Sequence, residues 1–418
     1  MENGKYVLRN SFTAHSAYEM VKELNGKLKL GIVDFGLGNE FEQWHETHDS
    51  IWHKPEEGIS ADEYIAKFIE FAIAIRKAQE EVNGNPNSIK IWGPEVTGSW
   101  MDWNTSNFEK DCQWSDTVRG QVNCSYGNGS FDHFVPYFLY RLSIAEKDKT
   151  VNPRKYKLLD YFALHYYPNF RTKIDVIDSV IRGADGKQQV ANILASTQVL
   201  NNPTFINTID ISSYRNFAPN ILGRMNGWIS AFYPNVKLAI NEFAIDSDYR
   251  CVDNYHPIIR PLYLADVIGI AIKEKVSFFN NFILSSADQV KDPWTMLNNE
   301  TERTSIFHMY KMYSANFKGN VLKVEDNMGD IVNAYATVSD KIINLAIVNK
   351  EPIEKAIQIY YKKGNSVQKS VTYKAPAWST SMLKLKVKAD PSKSFEINQY
   401  GAKEMGIIID KTYSKIRQ

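Results

Sequence analysis

Five short β-prone runs, each ending in polar residues, constrain this chain more than any other feature. They are Leu30 to Gly38 (LGIVDFGLG), Ile89 to Val96 (IKIWGPEV), Leu158 to Tyr167 (LLDYFALHYY), Lys237 to Ile245 (KLAINEFAI) and Val276 to Ser285 (VSFFNNFILS). Near-continuous apolar strands are buried on both faces, which predicts a parallel sheet covered by helices. Helical patterns lie between them. In Ser60 to Val82 the residues Tyr64, Ile65, Phe68, Ile69, Ala72, Ile73 and Ile75 recur at helical spacing, and Ser60 with Glu63 forms a capping box. Ala218 to Phe232 and Arg260 to Glu274 supply later helices. This alternation predicts an α/β barrel or a doubly wound sheet. No GxGxxG or GxxxxGK[ST] follows any of the strands, which removes the nucleotide-binding reason for a doubly wound sheet and favours the (β/α)8 TIM-type barrel.

From Gly319 the pattern changes. Val321 to Val324, Ile331 to Val338, Lys341 to Val348, Ala356 to Tyr361, Ser366 to Tyr373 and Ser381 to Val387 read as short strands separated by turn residues such as Gly329-Asp330 and Gly364-Asn365. That spacing predicts an antiparallel β-sandwich. The expected organisation is a barrel domain over residues 1–316, a sandwich over 317–388 and a polar tail over 389–418.

Charge and composition exclude several partners. The 49 Lys and Arg nearly cancel the 48 Asp and Glu, so no global field recruits nucleic acid or an anionic membrane. No run approaches the ~18 apolar residues of a membrane helix, and residues 1–12 hold no apolar core of a secretory signal. The three cysteines, Cys112, Cys124 and Cys251, are too few and too scattered for a disulfide scaffold or a four-thiolate zinc site, and read as free thiols, with Cys112 to Cys124 the one pairing within reach of a loop. Aromatic residues make up 13% of the chain, more than a core alone needs, and flat rings stack on sugars or bases.

In a barrel the working residues sit at the C-terminal ends of strands. Two strands end in Asn-Glu, Asn39-Glu40 and Asn241-Glu242. Carboxylates on opposite sides of a cleft suit glycoside hydrolysis, one protonating the leaving oxygen and the other attacking the anomeric carbon. The plainer alternative is two cap or loop carboxylates. His165, Tyr166 and Tyr167 close a third strand, where an imidazole and a phenol can hold a carboxylate in its charged form, or simply pack. Glu95 ends the second. Trp44, Trp52, Trp92, Trp100 and Trp103 follow or lie on the first two strands as stacking candidates, some of them core. A zinc reading of His45, His48 and His53 fails, because HETH spaces its imidazoles i and i+3 where the zincin helix needs i and i+4.

The segments GNEFEQWHETHDSIW, DEYIAKFIEFAIAIRKA and KIWGPEV resemble the acid/base region of glycoside hydrolase family 44, and LLDYFALHYYP and ILGRMNGWISAFYPNVKLAINEF resemble its sixth strand and its approach to the nucleophile. The likeness runs over roughly residues 16–316. It implies a retaining β-1,4-glucanase acting on cellulose-type chains, xyloglucan or mixed-linkage glucan, extracellular, with no cofactor. Residue by residue it implies Glu40 as acid/base and Glu242 as nucleophile. Asn39, Trp44, Glu95, Trp100, His165, Tyr166, Tyr167 and Asn241 are the expected substrate-binding group, with no metal ligand. Two positions depart from the family pattern: Phe41 stands where Pro usually follows the acid/base, and Asn241-Glu242-Phe243 replaces Thr-Glu-Tyr.

A barrel of eight units uses roughly 31 residues per unit, so an acid/base after the fourth strand should follow about 90 or more residues. Only 39 precede Glu40. The expectation is therefore an incomplete barrel with the equivalents of strands four to eight. Three functions compete: a retaining endo-β-glucanase, a non-catalytic or decayed glycan-binding protein of the same family, and a hydrolase of another barrel family acting on xylan or mannan.

Overall fold

The computed structural model of the chain describes residues 13–40, 60–96, 112–114, 122–168, 184–205, 219–245, 258–285, 295–329, 331–363, 366–386, 396–401 and 403–405. They form two compact units, Met1–Tyr166 with Gly223–Glu242, and Tyr167–Leu222 with Phe243–Gln418.

The first unit contains helix α1 (Ala14–Val21), strand β1 (Asp34–Gly36), helix α2 (Ala61–Asn83) and strand β2 (Lys90–Val96). A hairpin of β3 (Cys112–Trp114) and β4 (Val122–Cys124), helix α3 (Phe134–Lys147) and strand β5 (Tyr161–Tyr166) follow. The strands β1, β2, β5 and, after the return of the chain, β6 (Lys237–Phe243) neighbour one another in that order. β1 with β2 and β2 with β5 pair in parallel, as the doubly apolar strands predict. In the hairpin the backbones of Cys112 and Cys124 lie opposite each other.

Helix α2 forms where the apolar spacing places it. Ser60 accepts from the Glu63 amide while the Glu63 carboxylate accepts from the Ser60 amide, and Gly84 closes the helix at φ +77. Its buried face meets β2 through Phe68, which approaches so closely that a Cβ on Gly93 would lie 2.5 Å from the ring. Phe138 of α3 stands edge-on to Phe68 at 5.2 Å.

The N-terminal ends of the strands are held by one charged centre. Arg76 of α2 is wholly buried, donates to the carbonyls of Pro86 (2.7 Å), Ile89 (2.8 Å) and Lys157 (2.9 Å), and forms an ion pair with Asp160. Asp160 in turn accepts from the Ile91 amide at 2.9 Å and from Lys157 at 3.1 Å, and its carbonyl accepts from the Lys237 amide that opens β6. Desolvation opposes its charge, but Arg76, the Ile91 amide and Lys157 together hold its carboxyl below the usual range.

In the second unit helix α4 (Ala184–Ala195) precedes helix α5 (Ile221–Phe232), most of which belongs to the first unit. Helix α6 (Ile259–Lys273), strand β7 (Phe278–Asn281) and helix α7 (Ser305–Asn316) follow. The amide of Phe282, just past β7, donates to the carbonyl of Phe243 at the end of β6. Six antiparallel strands come next: β8 (Asn320–Leu322), β9 (Val332–Ser339), β10 (Ile342–Asn349), β11 (Lys355–Lys363), β12 (Ser366–Ala375) and β13 (Ser379–Lys386). A further strand, β14 (Glu396–Gly401), pairs with β13, so the segment expected to be a polar tail supplies an edge strand. One sheet has the order β14-β13-β10-β9-β8 and the other pairs β11 with β12. Val332, Ala336, Leu345, Ile347, Tyr373 and Leu383 fill the core between them.

The compact units do not divide at residue 316, and the reason is Asp266 of α6. Its wholly buried carboxylate accepts from Thr197, from Asn333 and Tyr335 of β9, and from Lys350 at 3.0 Å. Gly269, one turn on, leaves room for the Tyr335 ring. Helix and sandwich therefore share one interior. No described helix is long and apolar enough to cross a membrane.

Removing one partner from a buried ion pair leaves the other charged and unsolvated. Arg76→Ala is expected to lower unfolding stability by about 3–5 kcal/mol, read by urea denaturation. A loss within experimental error would show that Asp160 is not held by Arg76.

Candidate active site

The opposite ends of the same strands carry the reactive groups. After β1 the chain runs beside β2, the Leu37 amide donating to the Trp92 carbonyl and the Glu40 amide to the Glu95 carbonyl, both at 3.0 Å. Tyr64 of α2 secures the turn by donating to the Leu37 carbonyl at 2.5 Å. Glu40 and Glu95 both adopt left-handed backbone conformations, φ +54 and +57. Each conformation costs a non-glycine residue about 1 kcal/mol or more and persists where the surroundings impose it.

Three groups converge. His165 Nδ1 lies 2.7 Å from Glu40 Oε1 and 3.3 Å from Glu242 Oε2. One ligand atom from each of Glu40, His165 and Glu242 lies within 4.8 Å of the others. His165 is wholly buried while the two carboxylates are partly open. A proton on Nδ1 is what two facing carboxylate oxygens require. The alternation of β5 sets the imidazole here: Ala163, two residues earlier on the same face, packs with Trp92 and Ala239.

Glu95 is the fourth member. Its carboxyl occupies a recess over Gly36, where a Cβ would lie 2.4 Å from Oε1. Burial pushes it up to about 7, helped by the charge of Glu242 and opposed by His165 and by a hydrogen bond from Asn241. The other side of that amide, Asn241 Oδ1, is buried without a hydrogen-bond partner among the described residues.

The remaining expected site residues divide. Asn39 is exposed beside Glu40. Tyr166 is wholly buried with Phe162 and Leu164 on the opposite face of β5 from His165, so it is a core residue and not a substrate contact. Tyr167 belongs to the second unit, where it packs against Ala244 and Ile283 and meets Phe282 edge-on. Trp92 is core, stacked on Tyr161 at 4.3 Å and bonded to Asp34 through its indole nitrogen. Trp44, Trp52, Trp100, Trp103, His45, His48 and His53 lie outside the described residues. The recess under Glu95 was not foreseen; its signal in the sequence is the glycine of Asp34-Phe35-Gly36, a strand-end position with no side chain of its own.

The same cluster is the place where a cation would be sought, since it joins an imidazole to two carboxylates. Nδ1 is already engaged by Glu40. A second polar recess, lined by Glu80, Lys90, Arg154, Lys157 and Asp160 among others, lies at the N-terminal ends of the strands. Arg154 pairs there with Glu80 and Lys157 with Asp160.

The chain is similar to known proteins. A family model described as glycoside hydrolase family 44 matches residues 3–170, a span that includes Glu40, Glu95 and His165. Among solved structures, a xyloglucanase of that family from Paenibacillus polymyxa is 17% identical with a TM-score of 0.60, the alignment covering 92% of this chain and 74% of that one. A family 44 endoglucanase from Clostridium thermocellum is 19% identical with a TM-score of 0.56, covering 88% and 69%. A bifunctional glucanase-xylanase from a metagenome library is 19% identical with a TM-score of 0.58, covering 89% and 68%. No curated protein sequence matches. These likenesses establish the fold: a parallel strand array with helices, accompanied by antiparallel sheets.

The raised proton affinity of Glu95 is linked to stability. A carboxyl harder to ionise when folded contributes fully below its unfolded value of 4.5 and loses that contribution as pH rises toward 7. The stability of the wild type relative to Glu95→Gln is therefore expected to fall across that window, read from thermal midpoints at a series of pH values. A constant difference would mean that Glu95 titrates as an exposed carboxyl.

Proposed function

From a segment, residues 3–170, that matches glycoside hydrolase family 44, we propose that the chain is a retaining glycoside hydrolase of β-1,4-glucans with Glu40 as acid/base and Glu242 as nucleophile. The observation that carries the reading is the spacing of the cluster. Carboxylate oxygens of Glu40 and Glu242 within 4.8 Å of each other leave no room for a water between attacker and sugar. Inverting enzymes separate their carboxyls by roughly 6.5–9.5 Å, retaining ones by about 5–5.5 Å.

In the first step a Glu242 oxygen forms a bond to the anomeric carbon as the glycosidic bond breaks, and Glu40 gives its proton to the departing oxygen. In the second, Glu40 takes a proton from water, whose oxygen displaces Glu242 and releases the sugar with its configuration retained. His165, with Nδ1 shared between the two carboxylates, orients both. Asn39 and Asn241 offer amides for sugar hydroxyls. A β-glucan substrate is supported by the similar structures, one of which is the Paenibacillus polymyxa enzyme solved with xyloglucan. An extracellular setting is in keeping with the family and with the exported Bacteroides fragilis protein among the similar folds.

In a protein carrying this segment, Glu242→Gln is expected to abolish formation of the glycosyl-enzyme, seen by mass spectrometry with a 2-fluoro aryl glycoside. Glu40→Gln should slow polysaccharide hydrolysis at least a hundredfold while sparing the first step on activated aryl glycosides, which need no proton. Equal loss on both substrates in both variants would reverse or remove the assignment.

A second reading, a glycan-binding protein without turnover, is favoured by one observation. Leu28, Leu30, Ile32 and Val33, leading into β1, are 37–57% exposed, an apolar flank that a closed barrel would cover. Residues 1–418 alone are accordingly expected to self-associate and to hydrolyse β-glucan poorly, measured by light scattering and by reducing-sugar release. A soluble monomer turning over xyloglucan at ordinary enzyme rates would refute this and uphold the first reading.

A further inference from the structure

The Glu95 carboxyl is built into the site in a way that neither catalytic role explains. It is neither of the two carboxylates of the displacement, yet the absence of a side chain at Gly36 is what admits it. The charges acting on it are those of His165 and Glu242 on β5 and β6, and the amide of Asn241 hydrogen-bonds it from β6. From the segment after β1 it is met by the Glu40 backbone, whose amide donates to its carbonyl. No Lys or Arg is among the described groups that act on it; the His165 imidazole is the one group whose charge favours the ionised form, and it already faces Glu40 and Glu242, so a negative charge at Glu95 adds to that of Glu242.

A second observation concerns Asn241. Its Oδ1 is a buried acceptor with no donor among the described residues, an arrangement that costs free energy. The two ends of an amide differ only in hydrogen-bonding role, and turning the group over leaves its shape unchanged. A carboxylate can only accept, whereas a carboxylic acid also has an O–H to give. If Glu95 carries a proton, a turned Asn241 receives that O–H on Oδ1.

We propose that Glu95 is a positioning residue that works as the neutral acid: its O–H fixes Asn241, and its lack of charge leaves Glu242 the single anion on that side of the site. Ionisation of Glu95 places a second carboxylate beside Glu242, repels it, and takes back the Asn241 amide as a donor. Because a displacement of about 1 Å at a reacting centre can lower a rate a hundredfold, loss of that proton switches the site down. The burial that pushes Glu95 up to about 7 sets where this happens. Activity therefore falls as pH rises through that region.

The inference rests on the glycosidase reading, and the test separates the two. The measurement is the pH dependence of kcat/KM for an aryl β-glycoside of a cello-oligosaccharide with a good leaving group, so that the proton on Glu40 drops out of the first step. The wild type should lose activity on the alkaline side with a midpoint near 7. Glu95→Gln, which cannot ionise, should move that limb up by roughly one pH unit or more, whatever the height of its plateau. Gly36→Ala, which pushes the carboxyl out of its recess toward water, should move the limb the opposite way. A limb unchanged in both variants overturns the proposal while leaving the hydrolase intact. A wild type that cleaves no β-glucan defeats the hydrolase instead, and Glu95 is then decided by infrared titration. A protonated-carboxyl stretch that disappears near pH 7 and is missing from Glu95→Gln supports the neutral acid; no such band refutes it.

Discussion

The Arg76–Asp160 pair is the interaction on which the first unit depends. Parallel strands cannot be joined by hairpins, so their register has to be fixed by something other than a turn. Here Asp160 bonds the amide of Ile91 with its side chain and the amide of Lys237 with its carbonyl, while Arg76 brings α2 to the same point. Three strands are thus indexed at their N-terminal ends, and the helix in its C-terminal half. Because the pairing is parallel, whatever is indexed at one end is aligned at the other, and that other end presents Glu95, His165 and Glu242.

The two ends handle charge differently. At the lower end every buried charge has an opposite partner and several backbone donors or acceptors, the condition under which a buried ion pair is tolerated. At the upper end acidic groups outnumber basic ones among the described residues, and the His165 imidazole lies between Glu40 and Glu242. Such an arrangement is poor for stability and suited to proton traffic, since like charges drive carboxyl proton affinities apart. The left-handed backbones of Glu40 and Glu95 belong to the same end.

Elements with strong local patterns were legible in the sequence. Helix α2 begins and ends within one residue of the expected Ser60 to Val82 span, because its capping box and Gly84 act on nearest neighbours. The strands β9 to β13 fall where turn residues bracket them. Asn-Glu at two strand ends led to the two carboxylates, and the imidazole followed from its place at a third. What was not legible depends on neighbours remote in sequence. Tyr166 reads like His165 until the pleat turns it into the core. Residues 396–401 are polar and acquire strand structure from pairing with β13. The boundary near 316 follows a change of pattern, but the polar bonds from Asp266 to Asn333, Tyr335 and Lys350 unite the helix before it with the sandwich after it.

In the proposed double displacement His165 stands between the two groups that exchange charge. Before the first step Glu40 is neutral and Glu242 charged; after it Glu40 is charged and Glu242 is bound in an ester. The negative charge moves from one side of the imidazole to the other without changing in total. A group at 2.7 Å from one carboxylate and 3.3 Å from the other feels that exchange as a shift in direction, so its own proton can stay on Nδ1 throughout. That balance holds only while no further anion is present. In the proposed arrangement a neutral Glu95 preserves it, which lets a third carboxyl sit beside the pair.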